Sequence, residues 1–143
     1  MNGISSSDRL EDLVAQFRAR ILPREKWNHH AHLGVALWVL QRMPLDDALV
    51  WLEREISAYN AATGVENGPF SGYHETLTQF YTRAVAAFLE QNRDAVAGDA
   101  LWEQLIEKWG DKNAVFAFYS RRGLFSPASR ARFAPPDRCP LPF

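Results

Sequence analysis

The sequence predicts an all-α fold, a single-domain helical bundle, on three observations. Apolar residues recur at helical spacing in five segments. No segment alternates apolar and polar residues in the way a half-buried strand does. The breakers Pro23, Pro44 and Gly64 fall at the ends of the periodic segments.

The first helix is expected over Asp8 to Ile21, with Leu10, Leu13, Val14 and Phe17 as its apolar stripe, and Pro23 breaks it. Asn28 to Met43 forms the second, with Asn28 as its N-cap, and it ends before Pro44. The third, Asp46 to Ala62, carries Ala48, Leu49, Leu52, Ile56 and Tyr59 on one side. "GVENGPFSG" (64–72) is turn chemistry throughout. Ser71 is then expected to cap a long fourth helix from about Gly72 to Asn92, striped by Leu77, Phe80, Tyr81, Ala84, Phe88 and Leu89. Asp99 to Trp109 makes the fifth, Asn113 to Tyr119 is helical too, and Ser126-Pro127 starts a short helix to about Phe133. The closing "APPDRCPLPF" lacks donors where a helix needs them, so it is expected to lie extended over the surface. The core thus covers about 8–133 of residues 1–143, with a tail over 134–143.

A chain of 143 residues with 47% hydrophobic and 23% charged residues has the balance of a soluble globular domain and argues against disorder. A net charge of −1 gives no global field to recruit nucleic acid or a membrane, so neither is expected as a partner. The longest apolar run, Leu33 to Leu40, is far short of the roughly 20 residues of a bilayer span. The N-terminus has neither the basic start nor the apolar stretch of a signal peptide, and the lone Cys139 cannot form an internal disulfide. A cytoplasmic location is the expectation.

The chemistry-bearing residues gather in "KWNHHAHL" (26–33) and "SGYHET" (71–76). Helical geometry sets His29 and His32 only about 60° apart on one face, while His30 points elsewhere. Short connections make the helices that start at Asn28, Asp46 and Gly72 run up, down, up, so the first and third begin at the same pole. His29, His32 and His74 are therefore expected to converge, with Glu75 or water completing a four-coordinate site for a divalent transition metal: Zn, Fe, Ni or Cu. The positive helix end favours neutral imidazoles. Tyr73 is a candidate proton or hydrogen-bond donor, and Glu75 is alternatively a general base beside the metal. Trp27 is expected to wall the pocket, or else to staple against His32 or Leu33. Residues 121–143 carry five arginines and one aspartate. An arginine from this stretch, Arg122, is the candidate for holding a substrate carboxylate or phosphate. A solvated basic face is the plainer alternative.

"WNHHAHL" (27–33), "GYHETLTQF" (72–80) and "YSRRGLFSPASRARF" with "PDRCPLPF" (119–143) resemble a family of small uncharacterised bacterial α-helical proteins. In that pattern Trp27, His29, Ala31, His32, Tyr73, His74 and Glu75 match motif positions and His30 does not. The resemblance implies a choice of His29, His32 and His74 over His30 and implies no activity. A looser, architectural likeness is to metal-binding helical bundles that gather three histidines at one pole.

The function expected from the residues is that of a small metal-dependent enzyme acting by hydrolysis or group transfer on a small molecule, with an anion among the candidates. An iron- or copper-dependent oxygenase on the same site is one alternative. A non-catalytic module that binds a metal or ligand is another. The sequence leaves the oligomeric state open.

Overall fold

The computed structural model describes residues 7–95 and 98–143. Among these residues the chain forms α-helices joined by turns: α1 (Ser7–Arg18), α2 (His29–Leu40), α3 (Leu45–Ala62), α4 (Glu75–Gln91), α5 (Asp99–Trp109), α6 (Arg121–Leu124) and α7 (Pro127–Ala131). One-turn 3-10 helices occupy Arg24–Lys26 and Ala114–Ala117. The only strand-like pairing among the described residues is an isolated bridge between Gly68 and Ser71. No described helix is long and apolar enough to cross a membrane.

The organising element is α2. It buries Ala31, Leu33, Gly34, Val35, Ala36, Leu37 and Val39, so it is apolar nearly all round and sits among other helices rather than on one of them. It packs on α1, α3, α4 and α5. Leu10, Val14 and Phe17 of α1 cover one side, Leu52, Ile56 and Tyr59 of α3 another, and Val85 and Phe88 of α4 a third. Gly34 permits the close approach of α5. A Cβ there would lie 2.9 Å from the Trp102 ring and 3.0 Å from Leu10. The buried Asp99 carboxylate ties α5 to α1, accepting from the Leu10 N–H at 2.8 Å and lying 3.3 Å from the Arg9 guanidinium. A carboxylate suits that place, because the first turn of a helix leaves N–H donors unsatisfied.

The expected helices appear, with boundaries moved where side chains compete with the helix. The first helix stops at Arg18, short of Ile21, and Arg20 takes a left-handed conformation at φ 64°. The fourth starts three residues later than Gly72. Asn67 Oδ1 captures the Tyr73 N–H at 3.0 Å, the Ser71 hydroxyl donates to the Glu66 carbonyl at 2.8 Å, and Gly72 turns the chain at φ 79°. These local bonds hold 71–74 outside the helix. Ser71 is therefore not the cap: that place belongs to His74. Asn113 to Tyr119 tightens into a 3-10 turn, and the short helix after Ser126 ends at Ala131.

The tail is extended, as expected, and well anchored. Tyr119 Oη donates to the Ala134 carbonyl at 2.6 Å, the Ala134 N–H donates to Thr76 Oγ1 at 3.0 Å, and the Arg138 N–H donates to the Phe118 carbonyl at 2.9 Å. Asp137 accepts from both the N–H and the hydroxyl of Ser120, at 2.7 and 2.5 Å, and these bonds hold its pKa below the ordinary carboxylate value. Leu141 and Phe143 close a second apolar cluster built on Phe80, Val115, Tyr119 and Leu124.

Candidate functional site

The starts of α2 and α4 open on one cavity of about 660 Å³, a size that suits a small organic ligand. Trp27, Asn28, His29 and His32 line it from the first helix start; Tyr73, His74, Leu77 and Thr78 line it from the second. The convergence expected from the topology is therefore present, with three histidines on the wall of one cavity. Leu52 and Ile56 form an apolar floor, and Val115, Phe116, Leu124 and Phe125 complete the far side.

Asn28 caps α2 by accepting the Ala31 N–H at 2.9 Å, which puts His29 and His32 in the first turn. Trp27 precedes the cap. Its ring stacks on His32 at 3.8 Å between centroids and on Phe17 at 4.4 Å. The two expectations for Trp27 both hold: it is a staple against His32 and a wall of the cavity.

The three imidazoles differ in what they leave free. His29 Nε2 lies 2.8 Å from the Trp109 carbonyl. A carbonyl only accepts, so Nε2 carries the hydrogen and Nδ1 keeps its lone pair. Burial lowers the His29 pKa, partly offset by that backbone bond, so the ring is neutral at pH 7. His32 is pushed down to about 3, chiefly by burial and further by the charges of His29 and Arg24. Its ring stacks on Trp27, and the ring-nitrogen hydrogen bonds among the described residues belong to His29, His30 and His74 and not to His32. His74 is different. Nδ1 accepts the Leu77 N–H at 3.1 Å, capping α4, and Nε2 donates to the Leu124 carbonyl at 2.8 Å. Both nitrogens are spent on the backbone. His30, exposed as expected, lies 3.2 Å from the Gly110 carbonyl and outside the cavity wall.

Glu75 is likewise engaged. Its Oε1 accepts from Tyr73 Oη at 2.5 Å and its Oε2 from Gln79 Nε2 at 2.7 Å, and it takes no part in the cavity wall. Tyr73 does line the cavity, but its proton points to Glu75, and burial together with that carboxylate raises its pKa far above the ordinary tyrosine value. Among the described residues no three His, Cys, Asp or Glu side chains stand together as a metal-ligand set. The expected quartet is thus divided in this arrangement. His29 and His32 have nitrogens to offer, His74 is a helix cap, and Glu75 is a hydrogen-bond acceptor for its own helix turn.

The arginine expectation shifts by one residue. Arg121 is part of the cavity wall and Arg122 is not. Arg24 and Lys112 line it as well, and none of its 24 lining residues is Asp or Glu. Arg24, in a 3-10 turn, and Lys112, in a loop, lie outside the periodic segments, so no pattern in the sequence points to a shared pocket. Asn60 was hidden for another reason: it lies on the buried face of α3, where it reads as a packing position. No family model, curated protein or solved structure matches the chain.

Proposed function

We propose that the protein is a small-molecule enzyme that performs acid–base chemistry in this cavity, by hydrolysis or group transfer, with His29 and His32 as its reactive pair. The observation that carries the reading is the orientation of His29. Its Nε2–H is anchored on the Trp109 carbonyl, which leaves an unprotonated Nδ1. An imidazole held by its far nitrogen has the tautomer and the fixed ring that a general base needs. His29 Nδ1 takes a proton from water or a substrate hydroxyl. His32 stays neutral and donates a hydrogen bond to the oxygen on which charge develops, as a neutral imidazole of lowered pKa is suited to do. Trp27 fixes the plane of the His32 ring.

A resident metal fits this donor set less well. His74 has no free nitrogen and, among the described residues, the wall has no carboxylate or thiol, so an ion held by these residues would rest on two imidazoles alone. Tyr73 and Glu75 are read as a supporting pair for the wall, and Trp27 and Arg121 as substrate contacts.

Turnover of a panel of aryl esters and aryl phosphates, combined with elemental analysis of the purified protein, tests this reading. His29→Gln is expected to lower kcat by about 10²-fold or more, a usual loss for a general base, while His30→Gln retains it. Wild-type turnover in both His29→Gln and His32→Gln would overturn the assignment. Stoichiometric Zn, Fe, Ni or Cu that is lost in both variants would replace it with metal-dependent chemistry.

A further inference from the structure

We propose that the ligand of the cavity is a small organic anion, an apolar body bearing a phosphate or carboxylate group, with the anion held at the rim by Arg24, Lys112 and Arg121. The inference rests on the cavity being the reaction site and adds the class of molecule that enters it.

The three cations reach the rim from separate places: the 3-10 turn before α2, the loop after α5, and the start of α6. None has an ion-pair partner among the described residues. Arg9, Arg20, Arg42, Arg54 and Arg93 each lie beside a carboxylate, while Arg83, Arg122 and Arg130, among others, do not; what sets Arg24, Lys112 and Arg121 apart is the cavity they share. The rim arginines are held by neutral groups. Arg24 Nη1 donates to Asn60 Oδ1 at 3.0 Å, and the Arg121 guanidinium lies 4.2 Å from the Phe116 ring centroid. They are positioned without being neutralised, which leaves guanidinium donors for a bidentate anion contact.

Carboxylates stand behind the wall rather than on it: Glu75 is bonded to Tyr73, and Asp111 lies near enough to His29 and Tyr81 to act on both. The nearest carboxylate in sequence to Lys112 is Asp111, which accepts the Asn113 N–H at 2.9 Å and is not on the wall. The N-termini of α2 (12 residues) and α4 (17 residues) both open on the cavity, and each adds positive potential there. A cation would meet three positive side chains and, among the described residues, no carboxylate on the wall itself. A neutral apolar molecule would fill the floor of Leu52, Ile56 and Leu77 but leave the rim unmatched. An anion with an apolar body satisfies both.

Isothermal titration of the full chain with phenyl phosphate, benzoate and phenol tests the proposal. At least one of the two anions is expected to bind at least tenfold more tightly than phenol, and the tighter one identifies the head group. Its affinity should fall as NaCl rises from 50 to about 300 mM, because rim charges are partly screened. Arg24→Met and Arg121→Met should each weaken it by about tenfold, the value of a lost charge-assisted hydrogen bond, while Arg42→Met, far from the cavity, leaves it unchanged. Phenol binding as tightly as both anions, or no binding by either anion, overturns the proposal; both comparisons use the wild-type protein and need no variant to fold. The outcome is separable from that of the acid–base reading. His29→Gln should bind the anion and fail to turn over, so anion binding with an active His29→Gln variant sinks the catalytic assignment and leaves the anion site standing.

Discussion

His74 shows at the residue scale how a side chain with the chemistry of a ligand is used as a structural device. It caps α4 with one nitrogen and satisfies the Leu124 carbonyl with the other. His74→Ala should therefore cost about 1 kcal/mol for the cap and a further 1–3 kcal/mol, roughly, for the orphaned carbonyl. His74→Asn should recover the cap alone, and urea denaturation measures both. A His74→Ala variant as stable as the parent would contradict this role. The cavity histidines make a pH prediction. The His29, His32 and His74 pKa values are all lowered by burial in the folded chain from an ordinary 6.5. Below that value the unfolded chain binds protons that the folded chain does not, so stability falls as pH drops below about 6.5 and continues to fall toward about 3 for His32. Melting curves across this range should show the decline, and His32→Gln should make it shallower. The same lowering should place the acid limb of kcat/KM below the pH of about 6.5 at which an ordinary histidine would set it.

At the element scale, two contacts decide whether the cavity wall stands. The first is the approach of α5 to α2 at Gly34, where a Cβ meets the Trp102 indole and Leu10 at 2.9 to 3.0 Å. Trp102 is not free to yield, since its Nε1–H donates to the His30 carbonyl at 2.9 Å. Gly34→Ala should cost about 1–3 kcal/mol as overpacking, read as a fall in Tm. The second is the tail. Phe143 meets Phe80 at 5.4 Å and Trp109 at 6.0 Å between centroids, and Trp109 supplies the carbonyl that orients His29. Deleting Ala134 to Phe143 removes these contacts and the Asp137–Ser120 clamp. It should lower stability by a few kcal/mol, given about 1.5–3 kcal/mol for each large apolar side chain fully buried. The tail supplies no residue to the cavity wall. The fraction of truncated protein that stays folded should thus still bind the anion.

For the whole molecule, periodicity and breakers made the helices legible, and the up, down, up order made the shared pole of α2 and α4 legible as well. Both follow from burial, which leaves a repeating mark on the sequence. What escaped was set by contacts across the fold. The start of α4 depends on where Asn67, Ser71 and Gly72 send their hydrogen bonds, and a shift of that start turned His74 from an expected ligand into a cap. The choice of Arg121 over Arg122 depends on one residue of helical phase in a four-residue helix. The cations of the rim come from a 3-10 turn, a loop and a one-turn helix, elements too short to leave a periodic pattern. The proposed chemistry needs two neutral imidazoles, His29 and His32, on the wall of a cavity that also carries Arg24, Lys112 and Arg121. Long-range 15N–1H correlation spectra of the histidine side chains, recorded at pH 7 with and without phenyl phosphate or benzoate, test that most directly. The prediction is a neutral His29 protonated at Nε2, a neutral His32, and ligand-induced shifts at both while His30 is unmoved. An imidazolium at either position in the free protein, or a His29 protonated at Nδ1, would contradict it.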